Sequence, residues 1–373
     1  MAAEGWRRRA STCMRVLQVI ARLNVGGTAR YVGRLATDLP QHGIETLVAT
    51  GRVQGAEQED PIVETIPVAR IEHLGRALSP RNDVAARAEL RALIAEYRPD
   101  VIHTHTFKAG LVGRSLPHRA PLVHTFHGHL FDDPDFSGPK AHVIAAIERA
   151  LAPRADALVT VGERVASDLL QRHIGVPMQY SSIAPGVDPL ALPDRADART
   201  HLELPADAVV VAWLARVTAV KAPLRVVALA RAFPDSVFVM GGGGDMLEQI
   251  REQAPSNLRV LGWADAAAVY AAADIALSTS TNEGMPVSLI EAQLAGLPVV
   301  ATDVGGVSEV VRDSVTGLVV EPAGLHEALG RLLNDSTLRR AYGEAAALRA
   351  RTMFSPEHMV RQHAELYRRL ARQ

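Results

Sequence analysis

The sequence predicts an α/β protein built from two doubly wound parallel-sheet domains. Three observations lead there: short β-branched runs alternate with longer helix-patterned segments, that rhythm is played twice, and a stretch rich in proline and acids separates the two passages. The first passage places strands at residues 15–20 (RVLQVI), 45–50 (ETLVAT), 101–105 (VIHTH), 121–126 (PLVHTF) and 157–161 (ALVTV), with alanine and leucine at helical spacing over 84–97. The second places strands at 208–215, 237–242, 258–263, 275–280, 297–302 and 317–321. Between them, residues 185–207 carry no apolar period and read as a linker. The expected organisation is a tail over 1–13, a first domain over 14–186, a linker over 187–205, a second domain over 206–355 and a closing helix over 356–373, which begins Ser-Pro and is long enough to pack back on the first domain. Two such sheets would face a central cleft, with ligands held beyond the carboxyl ends of the strands.

Composition narrows the classes. A chain of 373 residues with 48% hydrophobic content can bury real cores. A formal net charge of -1 supplies no global field for nucleic acid or an anionic membrane. The single cysteine, Cys13, excludes an internal disulfide framework and fits a reducing, cytoplasmic setting. The basic cluster Arg7 to Arg9 could touch phospholipid heads at the inner face of a membrane, or be a solvated tail. No apolar run suited to a cleaved leader follows it, and none approaches the ~18 residues of a spanning helix.

Several motifs carry chemistry. Gly26 and Gly27 stand where the first strand turns into a helix, so backbone N–H groups there could approach an anion, although a tight turn without a ligand reads equally well. Arg216 and Lys221 follow a strand and precede a helix: a guanidinium forking across two oxygens and an ammonium on a third would suit a diphosphate, and a solvated loop is the alternative. The glycine run 241–244 could cradle a ligand or permit close packing.

In NEGMPVSLIEA (282–292), Pro286 suits the first turn of a helix, which puts Glu283 ahead of it and Glu291 about two turns inside. Eight residues at ~1.5 Å rise separate the two acids by ~12 Å, too far for the paired carboxyls of a glycosidase. They could grip two ends of one elongated ligand, with the helix start facing its phosphates. Histidines 103, 105, 124, 127 and 129 lack a recognised zinc spacing and read as polar contacts lining a cleft, with His105 and Lys108 as candidate acceptor contacts. The acidic run at 132–135 reads as turn chemistry rather than a metal motif.

Taken together, Glu283-GMPVSLI-Glu291, the glycine pair, Arg216 with Lys221, the LGW before an alanine-rich helix and the segment 296–322 resemble the retaining glycosyltransferases of family 4. That resemblance covers residues 14–368 and implies a GT-B fold of two Rossmann-like domains. It assigns Glu291 to the ribose hydroxyls, Arg216 and Lys221 to the departing diphosphate, and Glu283 with the backbone of Gly284, Met285, Pro286 and Val287 to the sugar hydroxyls. It puts the base against the backbone from Gly262 to Ala264, His127 on the donor sugar near the reacting centre, and Gly27 close to the diphosphate. It implies no metal, no cofactor beyond the nucleotide-sugar co-substrate, and a front-face mechanism.

The implied activity transfers a hexose or N-acetylhexosamine, from a UDP-sugar by preference, to a glycan, lipid-linked glycan or small-metabolite hydroxyl. The loops of the first domain resemble those of surface-polysaccharide transferases more than lipid-inositol ones, and an aminocyclitol acceptor stays open. A nucleotide-sugar 2-epimerase of the same architecture, a phosphorylase with lysine-bound pyridoxal, and a non-catalytic nucleotide-sugar-binding protein are the alternatives.

Overall fold

The computed structural model describes residues 13–54, 57–75, 77–128 and 138–372. The Arg7 to Arg9 cluster, His129 and the acidic run 132–135 lie outside them. The chain divides into two compact units, one of residues 1–186 and 356–373, the other of residues 187–355.

The first unit runs β1 (Met14–Ile20), α1 (Gly27–Asp38), β2 (Ile44–Thr50), β3 (Val68–Arg70), α2 (Pro80–Tyr97), β4 (Val101–His105), α3 (Thr106–Arg114), β5 (Leu122–Phe126), α4 (Pro139–Leu151), β6 (Ala157–Thr160), α5 (Glu163–Gln171) and β7 (Tyr180–Ser182). Among the described residues its sheet is seven-stranded, all parallel, in the order β3-β2-β1-β4-β5-β6-β7. β4, β5 and β6 are buried along their whole length, because helices cover both faces of a doubly wound sheet and leave no solvent side to alternate with. The edges differ: β3 and β7 are three residues each and only half-buried, so neither carries an apolar run that a sequence reading could find.

The second unit runs α6 (Arg195–His201), β8 (Val210–Leu214), α7 (Pro223–Ala232), β9 (Val237–Gly241), α8 (Leu247–Gln253), β10 (Leu258–Gly262), α9 (Ala266–Ala272), β11 (Ile275–Ser278), α10 (Val287–Leu294), β12 (Val299–Thr302), α11 (Val307–Val310), β13 (Gly317–Val320), α12 (Leu325–Asn334) and α13 (Ser336–Met353). Its six described strands are parallel in the order β10-β9-β8-β11-β12-β13. Trp213, Phe238, Met240, Ile275, Leu277, Val300 and Leu329 form the centre of its core. In both sheets the order reverses beside the first strand of the unit, the switch point where doubly wound folds open a crevice at the carboxyl ends.

The closing helix α14 (Pro356–Leu370) belongs to the first unit, where its apolar stripe is buried and His363 and Tyr367 are fully enclosed. Arg368 donates to the carbonyl of His42 at 2.6 Å.

The stretch read as a linker is structured, and α6 sits in it. Asp194 caps its start, accepting from the backbone N–H of Ala196 at 2.7 Å. Arg195 and Arg199 bind the two oxygens of Asp274 at 2.6 and 2.9 Å, and Asp274 also accepts from the Val210 N–H at 2.8 Å. Arg199 donates further to the carbonyls of Ala272, Pro205 and Ala206. The helix is therefore anchored by guanidinium groups and not by an apolar face, which is why no hydrophobic period marks it.

Asp274→Ala would take the carboxylate partner from two guanidiniums and from a strand N–H at once. It is expected to destabilise the protein by about 3 kcal/mol, measured by urea denaturation, while Arg195→Ala, losing a more exposed contact, is expected to cost about 1 kcal/mol or less.

A candidate nucleotide-sugar site

Beyond β8 the chain passes through Arg216 to a short 3-10 turn, Ala219–Lys221, and enters α7 through Ala222, a non-glycine residue in the left-handed region. The end of β11 holds this loop from the other side. Thr279 hydroxyl donates to the Lys221 carbonyl at 2.9 Å and accepts from the Trp213 indole at 3.0 Å. The Thr281 N–H binds the Val220 carbonyl at 2.8 Å. Arg225 reaches back to the Thr279 carbonyl at 2.8 Å.

Within this frame the Lys221 ammonium lies 2.6 Å from a Glu283 carboxylate oxygen, and the Ser280 hydroxyl donates to that same oxygen at 2.7 Å. The two charged side chains are 18% and 10% exposed, so the pair is largely withdrawn from water. Arg216, by contrast, is exposed, and its guanidinium makes no hydrogen bond or ion pair among the described residues. The lysine is held and the arginine is open.

The glycine run 241–244 serves close packing beneath Arg216. A Cβ on Gly242 would stand 1.8 Å from the Ala215 carbonyl oxygen and one on Gly244 2.2 Å from that of Val217. The Val217 N–H donates to the Gly243 carbonyl at 2.8 Å, so these residues brace the segment that presents the guanidinium. Gly305 plays a similar part under Glu283: its φ is 49°, and an added Cβ would lie 1.6 Å from the Glu283 carbonyl oxygen.

α10 starts one residue later than the sequence suggests. Pro286 is its N-cap, without a side-chain cap, and no acid stands in its first turn. Glu291 lies four residues beyond Val287, just over one turn in rather than two, and is half-buried. The Tyr270 hydroxyl donates to the Ser288 carbonyl at 2.7 Å. Burial, then the nearby Glu291 charge, raises the Tyr270 phenol well above its ordinary range and keeps it a donor. Tyr270, Glu283 and Ser288 line a narrow crevice with Leu214, Ala215 and Ser278. Gly262, at the end of β10, takes φ 73°, and Trp263 between it and Ala264 is 85% exposed. Ser280 and Tyr270 escaped the sequence reading, while Trp263 and Gly305 entered it only inside the LGW motif and the segment 296–322, with no role for either side chain or turn.

In the first unit, Gly26 is the N-cap of α1, a helix of 12 residues with no acid in its first turn and no side-chain cap. A Cβ there would meet nothing closer than the Asn24 carbonyl at 3.9 Å, so its start is sterically open. His127, just past β5, is half-buried, and its Nε2 lies 3.0 Å from His105 Nδ1. His105 is fully buried with its other nitrogen 2.7 Å from Gln18 Oε1, and Lys108 is buried against Asp83 and the Ala77 carbonyl. The two residues expected to touch an acceptor thus have their polar atoms occupied internally. His103 is likewise engaged, by Tyr367 and Thr125 at 2.6 Å each. Among the described residues no group of three or more His, Cys, Asp or Glu is arranged to hold a metal ion.

The comparisons with known proteins agree with this architecture. Two doubly wound parallel-sheet units are the architecture of a GT-B glycosyltransferase. Residues 26–186 match the family described as "Glycosyl transferase 4-like domain", and residues 207–335 match "Glycosyl transferases group 1". The chain is 31% identical over 399 residues to a D-inositol 3-phosphate glycosyltransferase of Salinispora tropica, covering 92% of this chain and 81% of that protein. With the corresponding protein of Kineococcus radiotolerans it is 31% identical over 388 residues, covering 88% and 87%. The chain belongs to the family 4-like glycosyltransferases of GT-B fold and is an enzyme of the transferase class. Among solved structures, sucrose-phosphate synthase of Thermosynechococcus elongatus shares its fold with a TM-score of 0.82 at 24% identity, over 96% of this chain and 99% of that one. HepE of Anabaena, in complex with UDP, does so with a TM-score of 0.79 at 22% identity, over 96% and 100%. No helix among the described residues is long and apolar enough to cross a membrane.

The buried histidines set a pH dependence. Burial first, then the neighbouring histidines, pushes His103 and His105 well below the ordinary imidazole value, and His127 falls to about 3 and His363 to about 4 from the same leading cause. His124 is lowered too, by burial and then by Arg114. Above pH ~6.5 both folded and unfolded chains hold these rings neutral. As pH falls below that, only the unfolded chain takes up the protons, so stability is lost from ~6.5 down toward the folded values, at about 1.4 kcal/mol per pH unit per ring. Urea melts at pH 7.5 and 5.5 are expected to show a marked drop, and a flat profile would contradict neutral burial.

Proposed function

We propose that this chain moves a hexose or N-acetylhexosamine from a UDP-sugar to a hydroxyl of a small cyclitol acceptor, with retention of configuration and without a metal. The observation that carries the reading is the desolvated Lys221–Glu283 pair next to an open Arg216, at the uncapped start of α10. The printed name of the curated relatives, D-inositol 3-phosphate glycosyltransferase, supports a cyclitol over a surface glycan. UDP in the HepE complexes supports the nucleotide. The reducing cytoplasm is the setting this reading assumes.

Transfer separates a cation-like sugar from an anionic diphosphate, and fixed cations at the phosphate stabilise the charge that grows. Arg216 forks across two phosphate oxygens while Lys221 turns its ammonium to a third, which supplies the neutralisation a metal would otherwise provide. Glu283, still held by Ser280, then accepts from sugar hydroxyls, and the backbone from Gly284 to Val287 donates to others. Glu291 takes the ribose hydroxyls, and the base lies along Gly262 to Ala264. The family resemblance also assigns Gly26 and Gly27 to the diphosphate and His127 to the sugar. The bond from the anomeric carbon to the phosphate oxygen breaks, a bond to the acceptor oxygen forms on the same face, and the acceptor's proton passes to the departing phosphate oxygen. No enzyme carboxylate is needed as a covalent nucleophile.

Thermal-shift measurements with UDP, GDP and their sugars are expected to favour UDP and a UDP-sugar. Arg216→Ala and Lys221→Ala are each expected to lower turnover by roughly 10²-fold or more, and Glu291→Ala to weaken UDP binding about tenfold with a smaller effect on turnover. Full activity in both cation variants would refute the assignment.

A further inference from the structure

The first unit holds an unbroken chain of side-chain hydrogen bonds running inward from His127, and its direction can be read from the groups that make it. Gln18 Oε1 carries no hydrogen, so His105 Nε2, 2.7 Å away, must donate to it. A neutral imidazole has one N–H, so His105 Nδ1 is a bare acceptor, and His127 Nε2 donates to it at 3.0 Å. On the other side the Gln18 amide nitrogen donates to the Tyr367 hydroxyl at 3.2 Å. That hydroxyl donates in turn to His103 Nδ1, and His103 Nε2 to the Thr125 hydroxyl, both at 2.6 Å. Every member from His105 inward is fully buried, and only His127 reaches the surface.

The rings are also fixed in place by their neighbours. His103 and His105 lie with centroids 4.0 Å apart, and Tyr31 meets His127 edge-on at 4.9 Å. The Tyr31 hydroxyl is itself held, donating to His363 Nε2 at 3.1 Å while His363 Nδ1 donates to the Met359 carbonyl at 2.9 Å. Burial keeps all four histidines uncharged, so the chain has one proton per ring and one sense of direction.

We infer that Gln18, His105 and Tyr367 are positioning residues that hold His127 with its proton on Nε2, so that it presents a bare Nδ1 as a hydrogen-bond acceptor to a hydroxyl of the bound sugar. The last link, to the sugar, rests on the proposed donor reading; the tautomer does not.

The test is a long-range ¹⁵N–¹H correlation spectrum of the full chain labelled at histidine, with His127 assigned by its loss in His127→Asn. The wild type is expected to show the proton on Nε2 of His127. Tyr367→Phe, which removes one hydroxyl and keeps the ring, is expected to spread His127 over both tautomers. It should also lower turnover of UDP-glucose, read as UDP release, roughly tenfold, with UDP affinity unchanged. Gln18→Glu, whose carboxylate still accepts from His105, is expected to keep the wild-type tautomer. A proton on Nδ1 in the wild type would overturn the inference, as would a Tyr367→Phe protein whose His127 signals are unchanged. A protein that shows the tautomer shift but neither binds nor turns over UDP-glucose would uphold the relay and sink the donor assignment instead.

Discussion

The ion pair between Lys221 and Glu283 is the constraint around which the second unit is organised. An ammonium and a carboxylate this far out of water hold only if each keeps a close partner, and breaking such a pair by removing one side costs about 3 kcal/mol or more. The surrounding structure is arranged to prevent that. Thr279 and Thr281 fasten the lysine loop, Ser280 fastens the carboxylate, and Gly305 lets another backbone pass directly beneath it. Under the proposed function, a nucleotide-diphosphate sugar would enter without stranding either charge: its phosphate would replace the carboxylate as the lysine's partner, and its sugar hydroxyls would replace the lysine as the carboxylate's.

The first unit solves a different problem with the same means. In its polar interior His103 and His105 could each carry a charge, yet both are kept neutral by burial and matched donor to acceptor. A neutral, fully satisfied network is rigid and has one preferred set of proton positions. The second unit thus holds fixed charge, and the first holds fixed hydrogen-bond direction.

Much of this was legible in the sequence, and the parts that were not have physical reasons. The inner strands announce themselves because a parallel sheet covered on both faces needs continuous β-branched runs; β3 and β7, short and half-buried, do not. α6 is held by Arg195 and Arg199 on Asp274, 79 and 75 positions away, so no local pattern betrays it. The residue types at 216, 221, 283 and 291 were visible and their spacing excluded an acid–base couple, but not the direct contact of Lys221 with Glu283, which depends on two loops meeting. His103 and His105, two residues apart on β4, share one face of the sheet. Strand alternation could not show that Tyr367, 264 residues further on, would occupy His103, or that Gln18 would occupy His105 and leave neither free for an acceptor.

The proposed reaction turns on one exchange of partners at Lys221, and a crystal structure of the chain soaked with UDP-glucose tests it most directly. The expected result is a diphosphate within hydrogen-bonding distance of Arg216 and Lys221, the ribose on Glu291, and Glu283 turned to the sugar. A ligand seated away from these four residues, or bound while Lys221 and Glu283 keep only each other, would contradict it.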